Sequence, residues 1–375
     1  MCKELYEMND KIFKASYWAS RHIFLLCFLS CFISACNTDD AEKRSPSDDW
    51  ATVPLPDLSL QPVKLRVASV VNPRFKQLTE DQVSRILSRT RQMVKQHFAI
   101  DITFTGVDTV AIKDVFNQLS GEVLNSRRDE IVDIEHIDEQ ARQAMQQSVF
   151  GTLENYADNT NNVIDFAQPY LLHPEVKPRG FIELSYALVD TLISRLKYWQ
   201  AQEAEDGRPI LQDNGYHEWV WWDSLGYTEL PYDIVITNQL VASAENYAMD
   251  VHSSIRGGIT AGTTTYNKNT AFSGYVYIMV YPMLNDSELL TTLRQDKTYS
   301  DEQIVNYSAT LLTHEIGHLL LHFGHPFGQK YCIMSPTVML NYRDWYDNLD
   351  AERCAVGSNP DMMPGAVSID YNRRW

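Results

Sequence analysis

The chain has 375 residues, 44% of them hydrophobic and 22% charged, enough apolar material for the core of one large domain or two small ones. Its formal charge is −17, from 49 acidic and 32 basic residues. That balance argues against nucleic acid as a partner and weakly against anionic substrates.

The N-terminus does not read as part of the fold. Lys11, Lys14 and Arg21 make a basic stretch ahead of a short apolar run at residues 23–35. The run is too short for a comfortable membrane span and ends in small residues, Ser34 and Ala35, just before Cys36. It resembles a bacterial lipoprotein signal, which implies cleavage of residues 1–35, lipid on Cys36 and attachment to a membrane of the cell envelope. Asn37 favours the outer membrane by the same resemblance. An ordinary secretory signal or a membrane anchor is the alternative, and Met8 gives a more typical signal length. Residues 36–60 are polar, acidic and proline-bearing, and read as a flexible tether. Removing residues 1–35 leaves Cys332 and Cys354 as the cysteines of the folded part, 22 apart. In an oxidising compartment they suggest one disulfide; two free thiols are the alternative.

Ordered structure is expected from Lys64, with one domain over residues 61–375. Residues 65–71 are apolar and β-branched, predicting a strand. Thr79 and Gln82 form a capping box, after which Val83, Ile86, Leu87, Thr90, Met93 and Val94 recur at helical spacing. Residues 100–107 alternate as a second strand, so the opening is β-α-β. Residues 110–230 read as a largely helical insertion, with helices over 134–156 and 181–202 and mainly loop between them. The aromatic stretch His217, Trp219, Trp221 and Trp222 reads as a buried cluster rather than a ligand groove. Residues 232–237 predict a strand and 259–266 an extended Thr/Gly-rich segment. Residues 274–281 alternate cleanly. Val276, Ile278 and Val280 face one way and Tyr275, Tyr277, Met279 and Tyr281 the other. The aromatic face could line a cleft, or both faces could be buried.

Ser300 to Gln303 form a second capping box, opening a helix whose buried side is Ile304, Ala309, Leu311, Leu312, Ile316, Leu319 and Leu320. Gly324 is placed to end it and Pro326 prevents its resumption. On this helix stands His314-Glu315-Ile316-Gly317-His318. Two histidines four apart lie one turn apart on one face and can converge on a zinc ion. Glu315, rotated about 100° from His314, stays near the metal but off the ligand line, where it can act as general base on an activated water.

The third ligand is less direct. His322 lies about 12 Å along a continuous helix from His314, too far for a shared ion unless the helix breaks early. His325 follows Gly324, where the chain can turn back, and is the favoured ligand. His322 is then a transition-state donor or a nearby residue. An acidic ligand, Asp344, Asp347, Asp350 or Glu352, is the competing geometry.

These residues resemble the metzincin zinc endopeptidases: HExxH, a glycine, a third histidine, then a methionine turn. The family pattern is HExxHxxGxxH; here the segment reads HEIGHLLLHFGHP, so Gly324 and His325 are displaced from the family spacing. The resemblance implies that Tyr331 to Pro336 form the methionine turn, with Met334 as a floor beneath the metal and a Cys332–Cys354 disulfide bracing it. It also implies an α+β zincin domain: a twisted mixed sheet with an edge strand over the cleft, an active-site helix and a C-terminal methionine-turn subdomain. Substrate would pair with residues 274–281 or 259–266 by β-augmentation. Pro336 stands where some members carry an oxyanion-steadying tyrosine; Tyr342, Tyr346 or His322 could substitute. The expected function is a zinc-dependent endopeptidase acting on a peptide or protein, lipid-anchored to a membrane. The alternatives are a zinc hydrolase of a non-peptide amide or ester, and a lipid-anchored binding protein with a structural or inactive zinc site.

Overall fold

The computed structural model describes residues 55–118, 121, 136–157, 159–210, 231–242, 251–266, 270–295, 298–326, 329–335, 337 and 339–354. The signal segment, Cys36, most of the tether, the aromatic stretch at 217–222 and Pro336 lie outside them.

Five strands form one sheet: β1 (Val63–Val71), β2 (Ile102–Ala111), β3 (Ile234–Thr237), β4 (Gly262–Tyr266) and β5 (Gly274–Met279). Their order is β2-β1-β3-β5-β4, parallel except for β4, which runs antiparallel to β5. The fold is thus mixed α/β with a mostly parallel sheet. The β-α-β opening is β1, α1 (Glu80–Phe98) and β2. Thr79 and Gln82 cap α1 reciprocally, at 2.8 and 3.1 Å.

β3 and β5 are central and buried on both faces, as parallel strands under helices must be. This decides the alternation at residues 274–281. Tyr275 and Tyr277 are 2% and 0% exposed, so the aromatic face is core and lines no cleft. β5 is also not the edge; β4 pairs on one side with β5 and, among the described residues, terminates the sheet. The strand stops at Met279 because Pro282 opens a short helix, α7 (Tyr281–Leu284).

Within the insertion, the described helices are α2 (Ile112–Phe116), α3 (Glu139–Tyr156), α4 (Thr160–Ala167) and α5 (Phe181–Gln200). α3 begins five residues later than its periodicity suggests, because Asp138 caps it by accepting from Ala141 N at 2.8 Å. α4 falls in a stretch that reads as loop. Asn159 caps it, and Val163, Ile164 and Ala167 bury its inner face. α3 packs on α5, and α5 on α6 (Val251–Arg256). No described helix is long and apolar enough to cross a membrane.

After α8 (Glu288–Arg294) comes α9 (Asp301–Leu321), the helix of the paired histidines. Its capping box is formed by Ser300 and Gln303. Arg85 of α1 ion-pairs with Asp301 and Glu302, and Gln82 Nε2 donates to Asp301 Oδ1 at 2.6 Å, joining the two helices at this end. α9 is buried almost all round, not only along the apolar stripe. Thr310 and Thr313 are accommodated because their hydroxyls donate to the carbonyls of Asn306 and Ala309, at 2.8 and 2.7 Å. α10 (Tyr342–Asn348) packs across α9.

Candidate metal centre

α9 carries His314 and His318 one turn apart and ends at Leu321, earlier than Gly324 suggests. His322 itself takes the left-handed conformation, at φ 50°. Its N–H reaches His318 O at 3.0 Å and Phe323 N–H reaches Gly317 O at 3.4 Å, the closure of a helix C-terminus usually made around a glycine. A non-glycine residue there costs roughly 1–2 kcal/mol, offset by these bonds. The early break has a geometric result. Phe323 O comes within 2.5 Å of His318 Nδ1, and the returning chain delivers His325 to the helix face.

The three Nε2 atoms form a triangle: His314 to His318 3.1 Å, His314 to His325 3.2 Å, His318 to His325 2.9 Å. His314 Nδ1 lies 2.8 Å from Ile333 O. Carbonyls only accept, so the Nδ1 atoms of His314 and His318 carry the protons and their Nε2 atoms present lone pairs. Two facing lone pairs, with His325 able to donate to one at most, suit a cation. Nitrogens around a tetrahedral zinc ion stand about 3.3 Å apart at usual bond lengths, and the triangle is only slightly tighter. The three histidines therefore fit a metal ion, and the carbonyls fix their tautomers. Burial holds His314 near pKa about 3 and His318 near about 4, with His325 well below its ordinary value from burial and its histidine neighbours. All three stay neutral donors near neutral pH. His318 and His325 remain partly exposed, so the centre has an open side.

Beneath the triangle lies the turn containing Ile333 and Met334. Gly317 makes room for it: a Cβ there would meet Met334 Sδ at 2.4 Å and Phe98 Cζ at 2.8 Å. The glycine inside the motif thus lets the thioether and α1 close on the helix between His314 and His318 in sequence. Cys332 and Cys354 are disulfide-bonded, with Cα atoms 5.1 Å apart. Trp345 of α10 donates through Nε1 to Cys332 O at 3.4 Å and sets its ring edge-on to His314 at 5.6 Å.

Glu315 is 4% exposed and faces β4. Thr264 Oγ1 lies 2.9 Å from its Oε2 and also 2.9 Å from its main-chain oxygen. Burial pushes the carboxyl up to about 8, partly countered by the Thr264 hydroxyl.

Other candidates sit elsewhere. Tyr342 is buried and stacks on Tyr307 at 6.4 Å, and Tyr346 meets Tyr307 edge-on at 5.7 Å. Tyr307 is about two turns before His314, so α10 points Trp345, not a tyrosine, at His314. His322 serves as the helix cap and lies outside the triangle. Asp344 pairs with Lys330 at 3.1 Å, and the Asp350 carboxylate accepts from Glu352 and Arg353 N–H groups; neither joins the cluster. Sequence reading misses Thr264, Gly262, Trp345 and His252. The last lies in α6, packs on Phe166 at 5.3 Å and helps depress His325. None belongs to a local pattern; His252 was legible only as one more histidine.

His325→Ala is expected to weaken zinc binding by more than about 100-fold, since loss of mere supporting contacts already costs 10–100-fold. His322→Asn, which tolerates the left-handed cap, is expected to leave it nearly unchanged. Competitive zinc titration distinguishes them, and the reverse order would make His322 the ligand.

No protein-family model matches the chain, and a comparison with curated proteins finds no relative. Among solved structures, archaemetzincin from Methanopyrus kandleri aligns over 79% of this chain and 94% of its own. The identity is 12% and the TM-score 0.29, an overlap too small to argue from.

Proposed function

We propose that this chain is a zinc-dependent peptidase. One observation carries the reading: three histidine Nε2 atoms converge within 3.2 Å of one another, with the buried carboxyl of Glu315 next in sequence to His314 and Met334 packed against Gly317. His314, His318 and His325 would hold the ion. When bound, zinc supplies a Lewis acid that acidifies a coordinated water to a pKa of about 7 and polarises a carbonyl. The residues of the chain do the rest. Glu315 takes a proton from the attacking water and returns it to the leaving nitrogen. Its burial keeps competing solvent away from that proton. Three protein donors among the described residues and one open side favour catalysis over a structural site, which four protein ligands would close.

An extended peptide is the substrate class that the side of β4 away from β5, paired by no strand among the described residues, can receive, through main-chain hydrogen bonds beside Glu315. The metzincin likeness of the motif and the methionine turn supports the same reading. Export and lipidation at Cys36 are proposed on the sequence alone.

The purified chain, residues 37–375, is expected to bind one zinc ion and to cleave an unfolded, casein-like protein. A chelator should remove the activity and added zinc restore it. Zinc-dependent hydrolysis of small amides or esters without cleavage of any peptide would favour the non-peptide reading, and zinc binding without hydrolysis the structural one.

A further inference from the structure

β4 presents Gly262 and Thr264 on the same face, two residues apart. Both meet the Glu315 carboxylate, from opposite oxygens. Thr264 Oγ1 lies 2.9 Å from Oε2. A Cβ added to Gly262 would lie 2.7 Å from Oε1 and 3.1 Å from Leu311 Cδ1, so no side chain other than hydrogen fits while the carboxylate keeps its place. Gly262 is not among the positive-φ residues, so its backbone does not require glycine; the approach of Glu315 does.

We propose that β4 fixes the orientation of the catalytic carboxylate. Thr264 anchors Oε2, and the bare Cα of Gly262 makes room for Oε1 against the strand, so both oxygens are held by β4. Thr264 is then a positioning residue acting through Glu315. The catalytic consequence rests on the peptidase reading above; the contact itself does not.

The hydroxyl has one proton and two acceptors at equal distance, Oε2 and the main-chain oxygen of Glu315. The main-chain oxygen lies within α9, where helical N–H groups already serve such carbonyls. Oε2 sits in a buried environment where an unmet acceptor is costly. The proton therefore belongs to Oε2. The arrangement also links substrate to base, because the strand that grips Glu315 is the one at the sheet edge. A peptide laid along its side away from β5 would stiffen the residues that aim the carboxylate.

The test has two arms. In metal-free protein, thermal unfolding is measured for Thr264→Val, Glu315→Leu and the double variant. Thr264→Val is expected to lower Tm by about 2–5 °C when Glu315 is present, and hardly at all in the Glu315→Leu background. Equal losses in both backgrounds would place the proton on the main-chain oxygen and overturn the proposal. In zinc-loaded protein, Thr264→Val is expected to lower kcat by about tenfold or more at unchanged KM and zinc stoichiometry, with recovery in Thr264→Ser. Gly262→Ala, which displaces the carboxylate from the Oε1 side, should lower kcat likewise with zinc retained. Full activity in Gly262→Ala overturns the positioning role of β4, even if Thr264→Val does not fold. A wild-type protein that hydrolyses nothing defeats the peptidase reading, while the unfolding arm still decides the contact.

Discussion

Glu315→Gln is expected to leave zinc binding intact and to slow peptide hydrolysis by about 10²–10⁴-fold, the usual range for loss of a general base. The amide is nearly isosteric with the acid and can still accept from Thr264, so the fold and the triangle should persist. It cannot take a proton from water, which is the role the position of Glu315 suggests. The substitution also removes a group whose ionisation is opposed by burial, so the metal-free variant should be no less stable than wild type at pH 8. Two outcomes would overturn the assignment. Full activity would remove Glu315 from the reaction, and loss of zinc with the fold intact would make it a ligand.

The second large effect concerns acid. His314 and His252 titrate near about 3 and His318 and His97 near about 4, each pushed down chiefly by burial, against an ordinary value of 6.5. The unfolded chain protonates them first. Their contribution to stability is full above 6.5 and is lost as pH falls toward 4. Glu315 acts with the opposite sign: its folded pKa is raised to about 8 from 4.5, so it favours the fold below 4.5 and loses that contribution as pH rises through 8. Between pH 6.5 and 4.5 the balance is a net uptake of about three protons on unfolding, on the order of 4 kcal/mol per pH unit. A domain with 5–15 kcal/mol in hand is exhausted within a few pH units. Metal-free protein is therefore expected to lose stability below about pH 6 and to unfold between about pH 5 and about pH 3. Zinc, by occupying three of the lone pairs, should move the midpoint to lower pH and couple unfolding to metal release. Circular dichroism during acid titration, with and without a chelator, reads both midpoints. Coincident midpoints would argue that the ion does not bind the histidines.

The same residues explain why the sheet edge matters. β5 carries the cleaner alternation, but β4 meets Glu315 and ends the sheet. A strand's place in a sheet is set by its partners, and alternation in β5 reports only that both of its faces differ in chemistry. β5 lies between β3 and β4 and both its faces are buried, so that difference lines no cleft.

What the sequence determined by itself was local. The capping boxes at Thr79 and Ser300 and the pairing of His314 with His318 involve residues three or four apart, and helical geometry fixes those relations wherever the helix lies. Tertiary structure decided the rest. His325 reaches its partners because His322, a residue with no glycine's freedom, turns left-handed and lets Phe323 bond to His318. Gly262 and Thr264 lie some fifty positions before Glu315 in a Thr/Gly run with no distinguishing period, and only the packing of β4 against α9 gives them a task. A period of 3.6 can be read along one segment; which distant segment lies across it depends on the whole core closing at once.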